Sequence, residues 1–436
     1  MFSLRGRAGA IICAFVLIPL FFSLAYAETG ASWMNREFFT GNWFGARDKL
    51  ADSGVTFASS YVVDLLTNVV GGQREHRFRY DSSLGLDLNV DLGKLWDYDG
   101  WQFHVAGVYR QGRSLSKDIG NRFVVSSIYG SEQFRLYSLY LDKTLMDGRL
   151  SLRFGRLGAG DDFASSPLYW NFVNNSIDGN PISIPINIPF TAYPTATWAA
   201  LLKYKITPEV LSKTGLYNGD NRVGDNKYHG TDFSMRSNEG VLFLQEFSYL
   251  LNQREDSQGL PGNYKIGGMY DSGKFDDFYK DKNGNSAAVT GLAKRKHRGT
   301  YGFYLHADQM VYREGGPASN QGLTLFSVLT FAPPDVNEFS FFVDGGMCYT
   351  GLIPKRDTDV TSLGFAYGQW SKDLANYQND SGQSPQKYEV MLELNHKIML
   401  TPYFYLQPDL QYIFNPGGTG NIDDALVLGT RVGVIF

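Results

Sequence analysis

Cysteine is nearly missing from this chain. Of 436 residues only Cys13 and Cys348 are cysteine, and Cys13 lies in a stretch that reads as a removable leader. An exported chain left with one cysteine has no internal disulfide and must be stabilised in another way. Long apolar runs are equally scarce: past residue 27 no stretch of 18 apolar residues occurs, so no transmembrane helix is expected. Charge is sparse and balanced, with 19% charged residues, 40 basic against 44 acidic, and a net charge of −4. That balance leaves no global field for nucleic acid. The six histidines are scattered, without H-E-x-x-H, C-x-x-C or G-x-S-x-G. No metal site, cofactor or catalytic centre is therefore expected. What the chain has in excess is aromatic residues, 15%, and 48 glycines, a mixture that suits many short strands joined by turns.

Residues 1–27 carry the marks of a secretory signal peptide: basic Arg5 and Arg7, an apolar run from Ala10 to Leu24, and the small-x-small site Ala25-Tyr26-Ala27. Residues 28–53 form an N-terminal periplasmic segment, in which Gly45 to Ser53 reads as a short amphipathic helix. From residue 54 onward apolar and polar residues alternate with period two. Leu84, Leu86, Leu88 and Val90 alternate with Ser83, Gly85, Asp87 and Asn89. Leu426, Leu428, Val432 and Val434 alternate with Val427, Gly429, Arg431 and Gly433. Each such segment has one greasy and one polar face. In a soluble sandwich the greasy face is the core; in an outer-membrane barrel it meets lipid and the polar face lines a lumen. Segment lengths of 10–15 residues, aromatics such as Tyr264, Tyr270, Phe404 and Tyr412 at the ends of the greasy face, and a final Phe436 favour the barrel.

The expectation is an all-β fold, a transmembrane antiparallel β-barrel of about sixteen strands over 54–436. The strands fall at 54–68, 80–94, 100–112, 132–145, 149–157, 195–206, 210–219, 239–253, 263–275, 299–313, 322–333, 337–351, 361–371, 386–400, 402–414 and 425–436. Tight turns at Leu145 to Gly148, Thr207-Pro208 and Thr401-Pro402 alternate with long polar connections. The longest connection is 158–194.

The motifs along this chain resemble those of the OprB-type carbohydrate-selective porins of Gram-negative outer membranes. They run from Gly41-Asn42-Trp43-Phe44-Gly45-Ala46-Arg47 through Gly155-Arg156-Leu157, Asp161-Asp162-Phe163, Ser166-Pro167-Leu168-Tyr169, Asn171 to Asn175, Gly179-Asn180-Pro181 and Thr191-Ala192-Tyr193-Pro194. They end in Gly351-Leu352-Ile353-Pro354, Leu406 to Tyr412 and Asn415-Pro416-Gly417-Gly418. At Trp170 and Asp178 the family pattern leads one to expect a cysteine pair, so any such staple is absent here. The resemblance implies facilitated diffusion of carbohydrates, chiefly small neutral sugars such as monosaccharides, across the outer membrane. The implied partners are carbohydrate solutes and outer-membrane lipid; homo-oligomerisation is left open. A general diffusion porin without sugar preference and an outer-membrane barrel enzyme are the alternatives.

A loop as long as 158–194 is expected to be functional, and folded inward it would form a constriction. Tyr169, Trp170 and Phe172 would offer flat faces to a sugar ring, and Asp161, Asp162, Asn171, Asn174 and Asn175 would bond its hydroxyls. Strand parity points Arg110, Arg135 and Arg153 into the lumen, where they are expected to reach one cross-section beside the loop. Arg156 is expected at the loop base, anchoring Asp161 or Asp162. Lumen charges of both signs suit neutral polyhydroxylated solutes, whereas an anion pore would be more uniformly basic.

Overall fold

In the computed structural model, which describes residues 33–436 apart from 131, 221 and 255, all the anticipated segments are strands. The leader expected over 1–27 lies outside the described residues. In chain order the strands are β1 (Val55–Val70), β2 (Arg77–Asp91), β3 (Trp101–Gly112), β4 (Gln133–Leu145), β5 (Leu150–Leu157), β6 (Thr197–Lys205), β7 (Val210–Asn218) and β8 (Val241–Leu251). They continue as β9 (Gly262–Asp281), β10 (Lys294–Arg313), β11 (Gly322–Phe331), β12 (Phe339–Thr350), β13 (Val360–Trp370), β14 (Tyr388–Thr401), β15 (Phe404–Phe414) and β16 (Ala425–Ile435). Every strand pairs antiparallel with its chain neighbours, and β16 returns to β1 to close the barrel, with Asp64 opposite Arg431. Closure leaves no unpaired sheet edge among the described residues, so the strands satisfy one another's backbone groups all the way round.

The largest boundary difference lies in the β9–β10 hairpin. It runs to Asp281 and starts again at Lys294, beyond the expected 275 and 299. Its outer part is polar on both faces, so the alternation is lost there. Backbone pairing persists nonetheless, supported by the Lys296–Asp276 ion pair and a 2.9 Å contact between His297 Nε2 and Asp277. Several short helices in the connections were not anticipated, and two of the α-helices among them have side-chain caps. Asp91 ends β2 by capping a helix at Leu92–Trp96, its side chain accepting from the N–H groups of Gly93 and Lys94. Ser371 caps another at Lys372–Asp380 in the same manner.

The N-terminal helix spans Ala46–Asp52, as expected. The motif before it has a packing reason. The Arg47 guanidinium lies 3.9 Å from the ring centre of Phe38 and 4.4 Å from that of Trp43, and Gly45 takes φ +83°, a conformation costly for other residues. Phe39 fastens the segment to the barrel seam. Its N–H donates to the Ile435 carbonyl at 2.9 Å, and its ring meets Phe436 edge-on at 5.7 Å.

Parity predicts the two faces of the wall correctly but not what the inner face meets. On β11–β16 the inward residues include Phe326, Val328, Phe342, Ala366, Met391, Ile413 and Val427, all buried. Two outer connections, 113–131 and 158–194, fold into the barrel and cover them. Phe123, Val125, Tyr169, Phe172 and Ile177 of these loops join that wall in one apolar core. Part of the lumen is therefore protein interior rather than water.

Candidate functional site

Wall side chains hold the 158–194 loop at intervals along its length. Asp162 pairs with Arg153 at 3.1 Å and with Lys203. Glu246, held by Lys213 at 2.9 Å and by the Tyr304 hydroxyl at 2.6 Å, accepts the Ala164 N–H at 3.0 Å. Ser166 donates to Asp308 at 2.8 Å. The N–H groups of Val173 and Asn174 both donate to Glu393, at 2.7 and 2.9 Å. Arg431 makes the densest contact. It holds Asp64 at 2.7 and 2.9 Å, Asp178 at 2.7 Å, the Phe172 carbonyl at 2.9 Å and the Ser127 hydroxyl at 2.9 Å. The inner loop 113–131 is tied in by Glu389, which accepts the N–H groups of Arg122, Phe123 and Gly417, and by Gln411, which donates to the Val125 carbonyl. The two loops also bond to each other, Ser127 N to Val173 O at 2.9 Å and Asn175 N to Val124 O at 2.8 Å. Because wall carboxylates grip loop backbone, the loop is fixed by charge-assisted hydrogen bonds, the strong kind.

The expected site residues separate into two groups. Buried in this framework are Asp162, Tyr169, Asn174, Arg110, Arg135 and Arg156. The Tyr169 hydroxyl lies 2.9 Å from His306 Nδ1. Burial beside Asp344, Asp308 and Glu246 pushes this phenol well above its usual range, so it stays protonated. Tyr169 and Phe172 thus pack the core and offer no face to a solute, contrary to expectation. Arg110 donates to the Tyr129 carbonyl at 3.0 Å, and Arg135 to the carbonyls of Val223 and Gly224 at 2.6 and 3.0 Å. Arg156 does not anchor Asp161 or Asp162; it bonds the carbonyls of Asp232 and Ala196, because its strand position faces the returning end of the loop. Nor do the three wall arginines share a cross-section. Arg110 stands opposite Gln133 on β4 and Arg153 opposite Asp142, nine residues farther along, or about 30 Å at about 3.3 Å per residue.

The second group keeps solvent contact: Asp161, Trp170 with 62% of its surface exposed, and, half-buried, Arg153, Asn171 and Asn175. Asp161 accepts the Tyr137 hydroxyl at 2.5 Å. Asn171 is steadied through its carbonyl, which accepts from Gln407 at 2.9 Å. Across the lumen the wall of β2–β6 carries inward, partly exposed polar groups: Asp87, Asn89, Gln102, His104, Tyr140, Asp142, Arg153 and Lys203. His104 stacks on Tyr140 with centroids 4.5 Å apart, and the Arg153 guanidinium lies 4.4 Å from the same ring.

The family model for the carbohydrate-selective porins of the OprB family matches residues 75–436. The chain belongs to that family. It is 28% identical to Porin B of Pseudomonas aeruginosa over 99% of this chain and 98% of that one. It is 25% identical to a putative porin, QuiX, of Acinetobacter baylyi over 92% of this chain and 94% of that one. A solved high-pH structure of Pseudomonas putida OprB superposes with a TM-score of 0.88 at 28% identity, covering 93% of this chain and 100% of that one. This is therefore a carbohydrate porin of the Gram-negative outer membrane, a channel by family. Sequence reading missed what holds the porin's inserted loops: Glu246, Glu389, Glu393, Gln411 and the Asp64–Arg431–Asp178 cluster. The signal was present, because Glu389 and Glu393 flank Met391 on one inward face. A wall that alternates carboxylates with apolar residues is built to be covered.

Proposed function

We propose that the porin passes small neutral sugars, monosaccharides foremost, by facilitated diffusion, with weak binding where the 158–194 loop narrows the passage. The observation that carries this reading is the pairing of charge along the passage. Arg153 is matched to Asp142 and Asp162, Lys203 to Asp162, and Lys213 to Glu246. Opposite charges held this close cancel at a distance, so an ion finds no field of one sign, while a sugar hydroxyl meets both donors and acceptors. Asp161, with Arg153 beside it, Trp170 and Asn171 are the solute contacts in this reading. Arg110, Arg135, Arg156, Asp162, Tyr169, Asn174 and Asn175 act by holding the loop and its neighbours.

Planar-bilayer recordings with glucose titrated against the ion current test the proposal, together with liposome swelling in glucose, gluconate and an amino acid. Saturable block by glucose and faster swelling in glucose are expected. Equal swelling in all three, without block, identifies a general diffusion porin instead. Removing one charge-assisted hydrogen bond to the sugar should weaken block by about 1.5–3 kcal/mol, roughly 10–150-fold.

A further inference from the structure

We propose that Tyr193, at the returning end of the loop, and Asp161, at its outgoing end, form one preassembled sugar subsite. Tyr193 supplies the flat platform and Asp161 the hydroxyl acceptor. The inference rests on the neutral-sugar reading above and names the contact within it.

Tyr193 is held on three sides. Its hydroxyl is hydrogen-bonded with Ser83 of β2, the Arg110 guanidinium sits 5.0 Å from its ring centre, and Tyr137 meets it at 4.9 Å and 79°. Despite these contacts 36% of its surface is exposed. A buried packing aromatic would be covered, as Tyr169 and Phe172 are, and a free one would be mobile. Tyr193 is neither: it is immobilised and open. Such a ring presents a π face or edge to the C–H side of a pyranose at little entropic cost on binding.

Asp161 shares the same support. Oδ1 accepts the hydroxyl of Tyr137, the residue that packs on Tyr193. Oδ2 has no hydrogen bond among the described residues, and the side chain is exposed. The two ends of the loop are fastened together at this point. Ala159 N donates to Thr191 Oγ1 at 3.1 Å and Gly160 N to Thr191 O at 2.9 Å. Asp161 and Tyr193 therefore keep a fixed separation, one phenol wide, whatever the middle of the loop does. A ring with an apolar side and an adjacent hydroxyl, the chemistry of a neutral pyranose, satisfies both at once. An anionic solute would be repelled by the free Asp161 oxygen.

The test is glucose block of single-channel current in wild-type protein and in the Tyr193→Phe, Tyr193→Leu and Asp161→Asn variants. Heat-modifiability on gels checks that each barrel is folded. Tyr193→Leu and Asp161→Asn should each weaken block roughly tenfold or more, with sugar-free conductance equal to or above wild type. Tyr193→Phe, which keeps the ring, should stay within about threefold. Asp161→Asn should in addition reduce the discrimination between glucose and gluconate. Folded variants that glucose blocks as it does wild type overturn the subsite and leave the porin's sugar preference standing. A wild-type channel that no sugar blocks overturns the neutral-sugar reading, and this inference with it.

Discussion

The two halves of the barrel interior obey one parity rule and do opposite things with it. Along β11–β16 the inward residues are apolar ones interspersed with carboxylates, the amides of Gln407 and Gln411, and Arg431, and the two inserted loops cover them as the second layer of a core. Along β2–β6 the inward residues from Asp87 and Asn89 through Gln102, His104, Tyr140 and Asp142 to Arg153 and Lys203 are polar and keep solvent contact, whereas Arg110, Arg135 and Arg156 are buried against loop carbonyls. A sixteen-stranded wall by itself would enclose a wide aqueous channel. Here the inserted loops fill part of that lumen with a globular packing of loop against sheet. That packing gives the loop the rigidity of a protein interior.

Arg431→Met is the severest way to break the filled half. The arginine is buried and neutralises two buried carboxylates, Asp64 and Asp178. Removing one partner of such a cluster costs about 3–5 kcal/mol. A clear fall in the temperature of heat-modification is expected, with raised and noisy conductance as both loops loosen. Unchanged conductance would mean that the loop holds its place without the cluster. Glu393→Ala should act in the same direction with less force. It strips acceptors from the N–H groups of Val173 and Asn174 and should cost about 1.5–3 kcal/mol, visible as current fluctuations before any loss of folding.

The filled half was the less legible in sequence. The strands were readable because a period of two needs only local residues, and both faces of β2 or β16 declare themselves within ten positions. Inward parity of Glu389, Glu393, Asp409 and Arg431 was equally readable. That these groups meet loop backbone and not water depends on where residues 113–131 and 158–194 fold, and no local pattern encodes that. The same blindness affected the site. Tyr169, Trp170 and Phe172 look alike as a loop cluster, yet two are core and one is exposed. Their sorting follows from partners 137–259 residues away, such as His306 for Tyr169 and Arg431 for the Phe172 carbonyl.

On the open half, Arg153→Met should do moderate harm. It unpairs Asp142 and takes one of two cations from Asp162, while Lys203 stays. The group is part-exposed, so about 1 kcal/mol of stability is expected to go. The larger change should be in charge: Asp142 loses its ion-pair partner and Asp162 is left with Lys203 alone, and the reversal potential across a salt gradient should move toward cation preference. A shift toward anions would show that the pairing does not set the field.

Trp170→Ala should have the smallest effect on stability and so sharpens the comparison most. With 62% of its surface exposed and its neighbours Tyr169 and Asn171 fastened to His306 and Gln407, the indole adds little to the filled half. Surface substitutions away from buried networks stay within about 0.5 kcal/mol, and the heat-modification temperature should match wild type. If the exposed indole belongs to the passage, glucose block should weaken while sugar-free conductance rises, since a bulky group leaves a narrow place. If the variant instead melts early, Trp170 is part of the core after all, and the boundary between the filled and open halves lies nearer β2 than its exposure suggests. The same variant thus separates a structural role from a transport role by two readouts that move independently.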